Sequence, residues 1–289
     1  MYISDLFKKN SSTLSFEVFP PKKSDDFGKI QDAIRELVKN PLDYMSVTYG
    51  AGGSTAAYTA EIAEKLEKDF NITALAHLTC VHSTRDGVIK TLEDFKARGI
   101  SNILALRGDL PQGTHTSDLT YSHASDLAEE IKSFGGFCVG GACYPECHPD
   151  SHSLDEDIDN LKIKIDSGVD FLVTQMFFDN NCFYSFRNKA VQKGINVPMV
   201  AGIMPLTNIK QIEKMCVLSG GAAMPSKFTK MIAKYADNPA ALKQAGIAYA
   251  VDQIIDLLSN DISGIHVYTM NKSNVADKIT SATIDLFNK

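Results

Sequence analysis

At 289 residues the chain is longer than a common domain, yet it falls in the range where one α/β barrel of about 250 residues is routine. Its composition, 44% hydrophobic and 22% charged, is that of a globular enzyme. No apolar run approaches the roughly 20 residues needed to span a bilayer, and a formal net charge of −6 argues against nucleic acid or an anionic membrane as the main partner. Any phosphate recognition is then local. The N-terminus, Met1 to Lys9, lacks the basic-then-apolar order of a signal peptide, which predicts a cytoplasmic protein. Cys80, Cys138, Cys143, Cys147, Cys182 and Cys216 are too sparse for a disulfide scaffold. Cys138, Cys143 and Cys147, with His148 adjacent, miss standard metal-ligand spacing, so no metal is expected.

Apolar runs predict strands at 14–19, 43–49, 72–80, 100–106, 137–143, 170–175, 197–202 and 262–267, separated by helix-period stretches. In the first run Glu17 is a lone carboxylate, and Pro20-Pro21 stops the strand just beyond it. A surrounding of Phe16, Val18 and Phe19 would disfavour the ionised form, as a general acid working near neutral pH requires; the alternative is an acid on a solvated strand face. After the second strand, Thr48 to Thr55 is a glycine-rich loop that lets the backbone approach a ligand closely. It lacks the Lys of a phosphate loop and the third Gly of the dinucleotide fingerprint. Helices are predicted at 55–69, with Thr55 as N-cap, and at 84–98.

Strand four ends in Leu106-Arg107-Gly108-Asp109, where Arg107 suits a phosphate or flavin oxygen and Asp109 suits a developing cation, or the two form a structural ion pair. Asp157, Asn160 and Lys164 share one helical face, which fits ribose hydroxyls and a pyrophosphate, or simply a solvated surface. The stretch 203–261 is too long for one βα unit and is expected to hold extra helices. Eight strands alternating with helices predict a closed (β/α)8 TIM barrel, with a doubly wound open sheet as the alternative. No linker or repeat divides the chain, so residues 1–289 are read as a single catalytic barrel domain. In a barrel the site lies above the C-terminal strand ends, which collects Glu17, Thr48, Tyr49, His77, Thr79, Arg107, Asp109, Tyr144, His148 and Gln175.

The segments Ser15 to Lys22, Ser46 to Ala51, Ala76 to Cys80, Leu104 to Asp109, Thr174 to Asp179 and Gly202 to Pro205 resemble, in order, the motifs of bacterial methylenetetrahydrofolate reductases. The resemblance implies the catalytic barrel alone, with non-covalent FAD, reduction of 5,10-methylenetetrahydrofolate to 5-methyltetrahydrofolate by NADH or NADPH, and a place in methionine biosynthesis. It implies that Glu17 protonates the folate so that the imidazolidine ring opens to an iminium ion, and that Asp109 tunes the flavin and stabilises that cation. It implies substrate contacts from Gln175, Gln211 and Lys272, and flavin contacts from Thr48, Tyr49, Ala51, His77, Arg107, Gly108, Asp109, Ala124, Tyr144, His148, Asp157, Asn160 and Lys164. Three positions depart from the pattern. Ile163 and Lys272 stand where Arg occurs, and Met215 where an aromatic residue stacks on the folate. Hydride passes through one flavin in ping-pong fashion on this reading. The alternatives are a flavin-independent reductase on the same barrel and a non-catalytic folate- or flavin-binding subunit of a larger complex. Expected partners are the folate and further copies of the chain, with room for an additional electron-transfer subunit.

Overall fold

The structure, a computed structural model, describes residues 1–21, 27–49, 56–81, 83–110, 113, 119–212 and 224–287. Eight parallel strands close into a barrel in chain order: β1 (Thr13–Val18), β2 (Tyr44–Val47), β3 (Thr73–Thr79), β4 (Asn102–Leu106), β5 (Cys138–Cys143), β6 (Phe171–Thr174), β7 (Met199–Ile203) and β8 (Gly264–Tyr268). All eight predicted strands are present, and the open-sheet alternative falls because β8 pairs back onto β1, with Ser15 opposite His266 and Glu17 opposite Tyr268.

The helices follow the strands. They are α1 (Ile3–Lys9), α2 (Phe27–Leu37), α3 (Ala56–Asp69), α4 (Arg85–Arg98), α5 (Ala124–Phe134), α6 (Leu154–Asp166), α7 (Asn180–Gln192), α8 (Ser226–Tyr235), α9 (Pro239–Ser259) and α10 (Ser273–Thr283). The pair α8 and α9 fills the long stretch before β8, as expected. Thr55, expected to cap α3, lies outside the described residues. No helix of the described residues is long and apolar enough to cross a membrane.

Strand alternation divides the interior in two. Leu14, Phe16, Val18, Met45, Val47, Ala76, Ile103, Ala105, Ile265 and Val267 face outward and pack against Ile62, Ala63, Leu66, Val88, Leu92, Phe95 and their counterparts on the surrounding helices. Inside the barrel, Tyr44, Leu75, Leu104, Cys138, Phe171, Val173 and Val200 form a separate apolar cluster. Helix α1 closes the bottom of that cluster with Ile3, Leu6 and Phe7, whose ring lies 5.5 Å from that of Phe171. Asn102 locks this plug, its Oδ1 accepting from Ile3 N (2.8 Å) and its Nδ2 donating to Met1 O (3.0 Å). Gly140 leaves room for the Phe171 ring, since a Cβ there would lie 2.7 Å from it.

Candidate functional site

Polar groups gather at the opposite, C-terminal end of the barrel. Glu17 is buried in the upper lumen, and its Oε2 lies 3.6 Å from His77 Nε2 and 3.7 Å from His266 Nε2. The phenylalanine setting read from the sequence is corrected here, because alternation turns Phe16 and Val18 outward into the helix-facing layer and leaves imidazoles beside the carboxyl. His266 is held at both nitrogens, Nδ1 being 2.8 Å from Ser15 Oγ and Nε2 3.2 Å from Ser46 Oγ. His77 Nε2 is buried without a hydrogen-bond partner. Burial, and then His266, push the His77 pKa down, Glu17 pulls it up, and the balance leaves it at about 4, so the ring is neutral at neutral pH.

The backbone around Glu17 is anchored from the loop after β8. Thr269 Oγ1 donates to Glu17 O (2.7 Å), while Asn271 takes both polar groups of Phe19, its Oδ1 accepting from Phe19 N (2.9 Å) and its Nδ2 donating to Phe19 O (3.0 Å). Met270 and Asn271 adopt positive φ to make this turn. Tyr268 crosses the lumen and donates to Thr174 O (2.7 Å). It has room only because Gly202 carries no side chain, as a Cβ there would lie 2.6 Å from the phenol oxygen. The sequence reading missed His266 and Tyr268. The signal lay in the alternation Gly264-His266-Tyr268, polar toward the lumen, against Ile265 and Val267.

A second space opens beside the lumen, between the ends of β4 and β5 and the helices α5 and α6. This cavity of about 420 Å3 is lined by nine predicted site residues: Arg107, Gly108, Asp109, Ala124, Tyr144, His148, Asp157, Asn160 and Lys164. Gly108 sits at φ +88°, and a Cβ there would come within 2.6 Å of Val81, so only glycine fits this corner. Helix α6, capped by Ser153, presents Asp157, Asn160 and Lys164 to this cavity, Asp157 and Lys164 half-buried and Asn160 exposed. Asp157 accepts from His148 N (3.1 Å) and Ser151 Oγ (3.4 Å), and burial nevertheless pushes its carboxyl up. Lys164 donates to Ala142 O (2.7 Å), and burial pushes its ammonium down. Ile163, on the same lining, is 60% exposed.

Arg107 does not pair with Asp109, as the ion-pair alternative expected, but with Asp150, at 2.7 Å. Asp109 is left exposed on the cavity wall. The other predicted residues lie elsewhere. Thr48 and Tyr49 are half-buried at the end of β2, off the cavity lining, and Ala51 and Met215 lie outside the described residues. Gln175 lines a small neighbouring pocket with Tyr144 and Met176, its Oε1 accepting from Met176 N (2.9 Å). Gln211 accepts from Thr207 N and Oγ1 (3.1 Å each) and donates to Pro205 O (3.2 Å). Lys272 reaches the same Thr207 hydroxyl at 3.4 Å, so two predicted substrate residues meet there. No group of three metal-ligating side chains occurs among the described residues, and Cys143 is a buried thiol pushed up to about 12 by desolvation.

Comparison with known proteins gives a consistent picture. The family model for methylenetetrahydrofolate reductase matches residues 2–283. A 5,10-methylenetetrahydrofolate reductase of Pectobacterium carotovorum is 34% identical over 263 residues, covering 91% of this chain and 87% of the relative. Methylenetetrahydrofolate reductase (NADH) 1 of Arabidopsis thaliana is 35% identical over 283 residues, covering 93% of this chain, which spans about half, 48%, of the plant protein. Among solved structures, a Clostridium thermocellum protein that binds two copies of 5-methyl-5,6,7,8-tetrahydrofolic acid superposes with a TM-score of 0.63 over 99% of each chain. At 13% identity that likeness is one of fold alone.

Proposed function

The chain belongs to the methylenetetrahydrofolate reductase family, and on that premise we propose that it reduces 5,10-methylenetetrahydrofolate to 5-methyltetrahydrofolate with NADH as donor and FAD in the cavity beside the lumen. Residues 1–289 act as one catalytic barrel on this reading. The observation that carries it is the convergence of nine residues, from Arg107 to Lys164, on one cavity. Their chemistry suits a dinucleotide. Arg107 and Lys164 supply cations for phosphates, Asp157 and Asn160 supply acceptors for hydroxyls, and Gly108 admits close approach of a ligand to the backbone. When bound, FAD supplies a two-electron relay between nicotinamide and folate, which makes the kinetics ping-pong.

The chain's own residues supply the acid and the orientation. Glu17 donates the proton that opens the imidazolidine ring, giving the iminium carbon that accepts hydride. Its position is fixed from below by the β1–β8 ladder and from above by Thr269 and Asn271, so the proton is delivered at a set point. Neutral His77 leaves the carboxyl without a cation on that side as the proton departs. Asp109, exposed on the cavity wall, opposes the positive charge that develops on the folate. Gln175, whose Oε1 accepts from Met176 N, offers its Nε2 to folate or nicotinamide. A folate contact through Gln211 exchanges one of its bonds to Thr207 or Pro205.

The test is the visible spectrum of the purified protein, followed by anaerobic addition of NADH or NADPH and then of 5,10-methylenetetrahydrofolate. The flavin band should bleach with NADH and return with the folate. A colourless protein that reduces the folate directly would establish the flavin-independent alternative, and a coloured protein that neither nicotinamide bleaches would establish a binding subunit.

A further inference from the structure

The cavity assigned to the dinucleotide already holds an internal anion. Arg107 NH2 donates to the Asp150 carboxylate at 2.7 Å, an ion pair between the end of β4 and the loop after β5. Both residues line the cavity. Arg107 is well covered, with 21% of its side chain exposed, whereas Asp150 is 58% exposed. The three carboxylates of this lining differ in how they are held. Asp157 is tied by His148 N and Ser151 Oγ, and Asp109 stands exposed on the wall, but Asp150 sits on the guanidinium itself. The loop presents it there through a tight local bond, Asp150 N donating to His148 Nδ1 at 3.0 Å.

Resting on the flavin reading above, we propose that Asp150 is a displaceable latch on Arg107, a built-in competitor that any anionic ligand of this cavity must dislodge. A phosphate oxygen and a carboxylate oxygen seek the same guanidinium donors. The exposed Asp150 side chain can turn to water at small cost, whereas the half-buried Asp157 and Lys164 are held by hydrogen bonds to His148 N, Ser151 Oγ and Ala142 O. The latch therefore weakens any ligand that needs this guanidinium for a phosphate and leaves the uncharged flavin ring system alone unaffected. It narrows the advantage of FAD over the bare ring system, acting on affinity and not on the hydride or proton transfers.

Flavin release from the holoenzyme on dilution, followed by flavin fluorescence, tests this, with FAD and riboflavin added back as probes. Asp150→Asn should tighten FAD about two- to fivefold at low salt, the range expected when an exposed ion-pair competitor is removed, and leave riboflavin unchanged. The gain should shrink as salt rises. Glu156→Gln removes the same charge from the start of α6, where Glu156 contacts His152 N and not Arg107, and should give a smaller gain. Asp150→Ala should behave as Asp150→Asn. A protein that binds FAD with equal strength in all variants, or less strongly in Asp150→Asn, overturns the latch alone. A parent protein that binds no flavin overturns the flavin reading and the latch with it.

Discussion

At the bottom of the barrel, α1 presses Ile3, Leu6 and Phe7 against Phe171, Leu75, Leu104 and Val200, and the polar group that matters there, Asn102, has its amide bonded on both sides. At the top, the same strands turn Glu17, His77 and His266 into one space, and His77 Nε2 is buried with no partner. The packed end and the polar end are only a few residues apart along β1 to β4 and β8, and Tyr44 OH, in the packed cluster, is also buried without a hydrogen-bond partner. What separates them is the plug, since the lower lumen is filled by apolar side chains while the upper lumen gathers ionisable ones.

The sharpest way to break the comparison is Glu17→Gln, which keeps the volume of the side chain and removes its proton. Folate reduction should fall by about 10²- to 10⁴-fold, while flavin reduction by NADH stays near the parent rate. Stopped-flow measurement of each half-reaction decides it. Equal losses in both would make Glu17 a packing or flavin-positioning residue, and the two ends of the lumen would not differ in kind.

The mirror experiment is at the bottom. Phe171→Ala removes a fully buried ring that Gly140 and Phe7 are shaped around, and should cost about 3–5 kcal/mol in urea unfolding. The turnover number of the folded protein should hold. A selective loss of turnover with unchanged unfolding would show that the plug shapes the site directly.

His77 sharpens the contrast through pH. An unfolded His titrates near 6.5, whereas the folded ring, desolvated, titrates at about 4. Below pH 6.5 the unfolded chain takes up a proton that the folded chain refuses until about pH 4. The stability due to neutral His77 is therefore complete above pH 6.5 and is lost as pH falls toward 4, by about 3 kcal/mol in all. His77→Gln should lose about 2 kcal/mol less than the parent between pH 7 and pH 5 in urea unfolding. Parallel pH dependences in the two proteins would show that some other group sets the acid sensitivity.

How much of this was legible in the chain differs with the kind of residue. The strands announce themselves as apolar runs, and the barrel rule then places their terminal polar residues together, which is why Arg107, Asp109, Tyr144 and His148 could be collected from the sequence. The neighbours of Glu17 could not be, because adjacent residues in a strand face opposite ways and the groups beside the carboxyl come from β3 and β8, about 60 and 250 positions away. Arg107 and Asp109 look like partners because they are two apart. Gly108, held at positive φ in a corner that admits no Cβ, lies between them, and the carboxylate that reaches Arg107 comes instead from the next βα loop.

The smallest effect belongs to Lys272, at the outer edge of the polar end. It is exposed, caps no helix N–H, and touches Thr207 Oγ1 at 3.4 Å, beside the Gln211 amide bonded to the same hydroxyl. A single ammonium offers no fork, so a carboxylate of the folate tail would meet a point charge in water, worth about 0.2–1 kcal/mol. Lys272→Ala should then raise the folate KM about two- to fivefold and leave kcat and the NADH kinetics alone, because binding made equally in ground and transition states does not lower the barrier. Lys272→Arg should bind folate at least as well as the parent, since a fork pairs a carboxylate through two bonds. Steady-state kinetics at two ionic strengths separates the cases, as a contact of this kind weakens with salt. If the folate KM ignores both substitution and salt, Lys272 does no more than hold Thr207, and the polar end of the barrel stops short of the loop that follows β8.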